Sequence, residues 1–477
     1  MSNPIKFGTD GWRAVIAEDF TFDNVRAVAQ ATADYWAANL IPGCAKQVVI
    51  GYDRRFLSDE FASASAEVFS GNGFKVILTD CPTPTPAVSY TVLATKSIGG
   101  VMITASHNPA KFNGFKLKAH FGGPADSSTC SEIEKVLAGN IAVNRKPLRG
   151  SANISVQDIK PAYFEAIKAQ VDMKLIAASG LRFAHDALFG VGAGCFDEML
   201  KGTTCKVTTI NGQHDPLFGG INPEPIEKNY RLGSAYLKQH PHDFCLVTDG
   251  DSDRIGAMDG NGNYLSAHEI ICLVLRHLVV NRKRSGAMIK AISTTAMVDA
   301  MCAAYNIPVK EVCIGFKNVV PEIVKPDALM AGEESGSLGF AGHIPERDGL
   351  LAGLFILEML AMEKRPVTEI LAELNAQFGK REYRRIDAHF PLELRDQLLA
   401  KFKTAAPESI QGVKLVRVNL LDGVKYLLAD DSWLLIRGSG TEPIIRLYAE
   451  GRTTANVEAL LTFAQNVAEE VKTSGTT

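Results

Sequence analysis

The chain has 477 residues, of which 46% are apolar and 22% charged, with a formal net charge of −3. This length exceeds one ordinary domain and fits roughly three, and the composition is that of a soluble globular protein with several cores. The balance of 50 basic against 53 acidic residues, without a long Lys/Arg run, argues against nucleic-acid and membrane-surface partners.

The N-terminus, MSNPIKFGTDGWR, lacks the apolar stretch of a signal peptide, so a cytoplasmic location is expected. Phe7-GTDGWR brings two glycines and Arg13 ahead of an expected helix. Beyond it, Gln47-VVIGYD reads as a strand, 59–70 as a helix, and Lys75-VILTD and Gly100-VMIT as further strands. That alternation is the α/β rhythm of a sheet with covering helices. It recurs over 181–250, with LRFAHDAL, CKVTTI and FCLVTDG as strands, and again from about 287 to 330. The apolar run Leu350 to Met362 contains Glu358 and is too short to span a bilayer. In the last hundred residues VKLVRVN, VKYLLAD, SWLLIRG and PIIRLYAE read as strands joined by short turns, followed by a helix from about Asn456 to Lys472. This predicts a small antiparallel sheet with packed helices, an α+β domain. The nine cysteines are odd in number and form no C-x-x-C pair, which fits buried thiols in a reducing compartment.

Four loops carry chemistry. Thr104-ASHNP follows an apolar strand and centres on Ser106, with Lys116 and Lys118 shortly after. A serine beside a His and a Lys suits a nucleophile or phosphate carrier, and equally a polar turn. Asp249-GDSDR places Asp249, Asp251 and Asp253 at a spacing of two after a buried-looking strand. On extended backbone such carboxylates project to one side, and their repulsion is relieved by a hard divalent cation bound through oxygen. An EF-hand is excluded, because Arg254 and Gly260 stand where its Gly and Glu are required. Gly332-EESG offers paired carboxylates as acceptors for sugar hydroxyls, or a surface acidic turn. Arg437-GSGTEP joins two strands and supplies small residues, hydroxyls and an Arg suited to an anion. It lacks the ending and helix of a Walker loop.

In this order, FGTDGWR, TASHNP, DGDSDR, GEESG and RGSGTEP resemble the α-D-phosphohexomutase family over essentially the whole chain. The resemblance implies a heart-shaped architecture of four domains around a central cleft: three α/β domains with mixed sheets and a C-terminal α+β domain. We expect these at 1–150, 151–260, 261–375 and 376–477. It implies Ser106 as the phosphoserine and Asp249, Asp251 and Asp253, with that phosphate, as the Mg²⁺ ligands. Arg13, His107, Lys116 and Arg254 would line the reaction centre, with Lys116 a candidate acid/base whose pKa nearby cations lower. Glu333, Ser335, Lys317 and His343 would contact the sugar. Arg437, Ser439, Gly440 and Thr441 would hold the distal phosphate. The expected substrates are hexose phosphates, passing through glucose 1,6-bisphosphate, which also acts as activator. The second Glu of GEESGS, the Gly315-FK segment and HIPERDGL at 343–350 favour glucose 1-phosphate and glucose 6-phosphate. The alternatives are mannose phosphates or release of the bisphosphate as product; a serine phosphatase and a non-enzymatic sugar-phosphate binder rank below these. A monomer or homodimer is expected.

Overall fold

The computed structural model describes residues 5–8, 10–139, 141–438 and 443–474. The chain divides into two compact units, Met1–Gly286 with Gly315–Val367, and Ala287–Ile314 with Thr368–Thr477.

The first unit opens with a six-stranded mixed sheet. Its strands are β1 (Trp12–Val15), β2 (Ala45–Tyr52), β3 (Lys75–Thr79), β4 (Ser97–Ile103), β5 (Phe112–Ala119) and β6 (Ile154–Gln157), in the order β1-β5-β4-β2-β3-β6. β4, β2, β3 and β6 run parallel, β5 pairs antiparallel with β4, and β1 pairs antiparallel with β5 and so runs in the direction of β4. β4 is buried along its whole length, which is why its sequence, SIGGVMI, lacks the polar alternation of a half-exposed strand. The helices Phe22–Ala38 and Ser58–Gly71 bury Val25, Val28, Phe61 and Phe69 against this sheet. FGTDGWR leads into β1, not a helix; the first helix starts only at Phe22. Trp12 and Phe20 stack here at 4.8 Å, fixing β1 to the core.

A second mixed sheet has the order β11-β10-β9-β7-β8. It consists of β7 (Arg182–Asp186), β8 (Lys206–Ile210), β9 (Phe244–Thr248), β10 (Ile255–Asp259) and β11 (Tyr264–Leu265). β7, β8 and β9 are parallel. The first unit also contains the antiparallel pair Ala328–Gly332 and Leu338–Phe340, and the helix Gly349–Glu363. The apolar stretch Leu350 to Met362 is this helix. Its Glu358 is fully buried, accepting from the Asp172 N–H and from His277 Nε2 and paired with Arg282. Such pairing makes a buried carboxylate tolerable in an apolar helix. Among the described residues, no helix is long and apolar enough to cross a membrane.

The second unit contains the parallel strands Ala287–Ala291 and Val309–Val312, followed by a six-stranded antiparallel sheet. In sheet order its strands are Glu382–His389, Ile444–Gly451, Trp433–Gly438, Val424–Leu428, Val413–Asn419 and Ser409–Ile410. The helix Thr454–Ser474 buries Val457, Leu460, Leu461 and Ala464 in the core of this sheet. The expected C-terminal α+β domain is therefore present. None of the nine cysteines forms a disulfide, and five are buried.

Candidate active site

Ser106 lies just beyond the carboxyl end of β4, and Asp249 just beyond that of β9, where α/β sheets open their ligand crevices. The Ser106 backbone is left-handed, at φ 52°, a conformation that costs a non-glycine residue free energy and needs support from its surroundings. That support comes from Arg55. Its guanidinium donates to the carbonyls of Ser106, Asn108, Pro109 and Phe112, and it pairs with Asp53 at 3.1 Å. Asp53 in turn accepts from the hydroxyls of Ser58 and Thr104, and Thr104 Oγ1 accepts from the Ser106 N–H at 2.9 Å. The pair is fully buried, so its removal exposes unsatisfied charge and carbonyls together. Arg55→Met is expected to lower stability by about 3–5 kcal/mol. Urea unfolding checks this, and a loss under about 1 kcal/mol would contradict the role given to Arg55.

Asp249, Asp251 and Asp253 are all buried, with one carboxylate oxygen from each lying within 4.8 Å of the others. They converge through a turn and not along extended backbone as the spacing predicted. The Ser252 N–H bonds the Asp249 carbonyl at 3.1 Å, and Ser252 has φ 59°. The two loops touch at Gly250, where an added Cβ would stand 2.6 Å from the Ser106 carbonyl oxygen. This close approach requires glycine. Ser106 Oγ is thereby placed 3.0 Å from Asp249 Oδ2 and 3.2 Å from His107 Nδ1.

Lys116, on β5, is completely buried and reaches three carboxylates: Asp10 at 2.9 Å, Asp251 at 2.8 Å and Asp253 at 3.2 Å. Burial alone would lower its pKa. The attraction of Asp10, Asp251 and Asp253 outweighs burial and raises it. The expected lowering by neighbouring cations is therefore corrected: the carboxylates dominate, and Lys116 is an ammonium group. Asp10 reaches it because Gly11, at φ 88°, leaves no Cβ to strike the Phe115 carbonyl 2.6 Å away. Arg347 pairs with Asp10 at 2.5 Å and Asp253 at 2.7 Å, and the neighbouring Glu346 pairs with buried Lys118 at 2.5 Å. Thr85 donates to Asp251 Oδ2 at 2.6 Å.

Lys116 and Arg347 are thus ion-paired with Asp10, Asp251 and Asp253, and Asp249 stands beside them near Arg254. Burial, then Asp253 and Asp251, push Asp249 well above the usual carboxylate range. Burial would raise Asp251 too, but Lys116 and Thr85 bring it below that range. Asp251 Oδ1 and Asp253 Oδ1 are buried and have no hydrogen-bond partner among the described residues. An all-oxygen donor set with orphaned buried acceptors fits a divalent hard cation.

Arg13 reaches the same loop through Asn108 Oδ1 at 2.6 Å. Arg254 and His107 both face Glu224, at 3.5 and 4.0 Å. Burial, then Arg254 and Arg13, hold His107 well below the usual imidazole pKa, so its ring is neutral. The Gly332-EESG loop packs on the aspartate loop through an Arg254–Ser337 bridge and the bond from the Ile255 N–H to the Gly336 carbonyl. Glu333 is buried and accepts from the Gly315 N–H at 2.7 Å, and Ser335 bonds Ser337. Lys317 donates to Ser127 at 2.9 Å beside a recess that Asp10 and Gly11 also line.

His343 departs from the expectation of sugar contact. Its side chain is buried, with Nε2 2.8 Å from Asp348 Oδ2. Asp348 caps the helix Gly349–Glu363 and also accepts from Tyr163. That geometry anchors a helix. In the second unit, Arg437 pairs with Asp422 at 2.8 Å. Ser439, Gly440 and Thr441 lie outside the described residues.

Burial, then Glu334, raise Glu333 to about 7 from 4.5. Its protonated form is the one the fold favours. Its contribution to stability is full below about pH 4.5 and lost as pH rises through about 7. Relative to Glu333→Gln, the native chain should lose about 3 kcal/mol between pH ~5 and ~8. Urea unfolding at the two pH values measures it, and equal losses in both proteins would refute the assignment.

Asp10 and Arg347 are the members of the cluster that sequence reasoning missed. Both lie inside segments it singled out, FGTDGWR and HIPERDGL. The available signal was charge, since each motif carries an ionisable residue that had been given no role.

Four regions match the phosphoglucomutase/phosphomannomutase domains: residues 4–142 the alpha/beta/alpha domain I, 161–262 domain II, 266–378 domain III and 398–466 the C-terminal domain. A crystal structure from Thermus thermophilus, provisionally assigned as a phosphomannomutase, is 34% identical, covers 98% of this chain and all of its own, and superposes with a TM-score of 0.86. A phosphoglucomutase/phosphomannomutase of Thermococcus kodakarensis is 27% identical over 97% of this chain and 98% of its own. The fold also matches Aspergillus fumigatus N-acetylphosphoglucosamine mutase, crystallised with GlcNAc-6P and magnesium. That match has a TM-score of 0.61 and 15% identity, over 98% of this chain and 96% of that one.

Proposed function

Because this chain belongs to the phosphoglucomutase/phosphomannomutase family and is a phosphohexomutase, we propose that it interconverts glucose 1-phosphate and glucose 6-phosphate through phospho-Ser106. The observation that carries the phosphoserine reading is Ser106 Oγ poised 3.0 Å from the aspartate cluster. The glucose reading rests on the GEESGS loop.

Asp249, Asp251 and Asp253 would hold Mg²⁺ together with the Ser106 phosphate. When bound, the ion offsets charge on the transferring phosphoryl group. The chain's own residues supply the remainder. Arg55 and Thr104 fix the serine loop. The Ser106 Oγ–P bond breaks as the sugar hydroxyl oxygen forms its bond to phosphorus in line, and the hydroxyl proton ends on Ser106 Oγ, which is restored as a free hydroxyl. Lys116, as an ammonium group, suits donation to the phosphoryl and leaving oxygens better than resting-state proton abstraction. Arg13 and Arg254 add positive charge near the reacting centre. Glu333 and Ser335, with Lys317, are suited to the sugar, and the segment beginning at Arg437 to its distal phosphate. The hexose 1,6-bisphosphate then turns round and returns its other phosphoryl group to Ser106.

Steady-state kinetics on glucose, mannose and glucosamine 1-phosphates, with Mg²⁺ and glucose 1,6-bisphosphate, test the substrate. The highest kcat/KM is expected for glucose, and a clear preference for mannose would overturn that assignment. Accumulation of free bisphosphate at the rate of turnover would instead mark a bisphosphate synthase.

A further inference from the structure

The second unit contains a cavity of about 450 Å³, lined only by its own residues and by none of the loops described above. Ligand pockets of this size pair apolar walls with a few converging polar groups. Here Val309, Leu427 and Trp433 supply apolar wall. Three basic side chains in the lining have acidic partners: Lys290 with Asp299, Lys425 with Glu311 at 3.1 Å, and Arg381 with Asp431 at 3.5 Å.

The matching is incomplete at Arg381. Its side chain is only 5% exposed, yet Nε and Nη1 are buried without a hydrogen-bond partner among the described residues. A buried donor left unpaired carries its full desolvation cost, so it requires an explanation. Arg417 lines the same cavity, is exposed, and forms no ion pair among the described residues. Against the three carboxylates, the four basic groups leave one positive charge over. Lys425 lies 4.5 Å from the Trp433 ring centroid and donates to the Ile292 carbonyl, which keeps a cation beside the indole.

We propose that this cavity is a second ligand site, taking a small organic monoanion. Its carboxylate would sit on the fork of Arg381 and on Arg417, and its flat apolar body against Val309 and Leu427. Arginine is suited to this because its planar donors match a carboxylate bidentately. The single excess charge, with Asp299, Glu311 and Asp431 nearby, favours a monoanion over a dianionic phosphate.

Calorimetric titration of the full-length protein with 2-naphthoate tests the proposal. One molecule per chain is expected to bind, unaffected by glucose 1-phosphate. Binding should be at least about tenfold weaker in Arg381→Gln, in Arg417→Gln and for neutral 2-naphthamide. Arg417 is exposed, so its variant remains informative if Arg381→Gln fails to fold. Absence of saturable binding, indifference to the Arg417 variant, or displacement by glucose 1-phosphate would overturn it. The result is independent of which hexose phosphate the enzyme prefers.

Discussion

Ser106→Ala is expected to reduce phosphoryl turnover by about three orders of magnitude or more, while the chain stays folded. Removing a covalent carrier leaves no alternative route through the same site, which is why such losses are large and not graded. The structural cost is small by comparison. Alanine accepts the same left-handed backbone about as poorly as serine, and Arg55 still holds the loop. What disappears is the bond to Asp249 at 3.0 Å, worth about 1 kcal/mol. Two measurements decide it: the mutase rate, and label transferred to protein from phosphate-labelled glucose 1,6-bisphosphate. Turnover within about tenfold of the native rate would remove Ser106 from the mechanism.

Lys116→Met is expected to damage both stability and activity. The substitution removes the ammonium group that Asp10, Asp251 and Asp253 share. Of the ion pairs in the cluster only those of Arg347 with Asp10 and Asp253 then remain, and deleting one partner of a buried charge cluster costs about 3–5 kcal/mol. Turnover should fall sharply as well, because the proposed mechanism has Lys116 donate to the phosphoryl and leaving oxygens. Mg²⁺ should recover part of the stability, since a ligand bound by the native carboxylates alone favours the native state by mass action. Urea unfolding with and without Mg²⁺, alongside kinetics, measures each effect. Near-normal activity would exclude Lys116 from the chemistry, and unchanged stability would contradict the charge balance of the cluster.

Much of this was legible in the sequence because it depends on local pattern. The continuous apolar runs of β2, β4 and β9 announce buried parallel strands. The aspartates of DGDSDR announce a hard-cation site whatever backbone carries them. The serine loop, in contrast, was ambiguous by itself, and only its company gave it a role. The helix expected after FGTDGWR starts only at Phe22, beyond β1, because Trp12 packs on Phe20 and pairs β1 with β5. Tertiary packing decided that segment over local propensity.

The sequence by itself determined the α/β alternation, the antiparallel C-terminal sheet, the candidate nucleophile and the acidic triad, since each is encoded in neighbouring residues. Only the tertiary structure decided the electrostatics. Asp10, Lys116, Asp253 and Arg347 are far apart in the chain, and their ion pairs set the charge state of Lys116 against the expectation drawn from its cationic neighbours. His343 was likewise committed to Asp348 by packing. A pKa depends on distance and burial, which no run of letters contains.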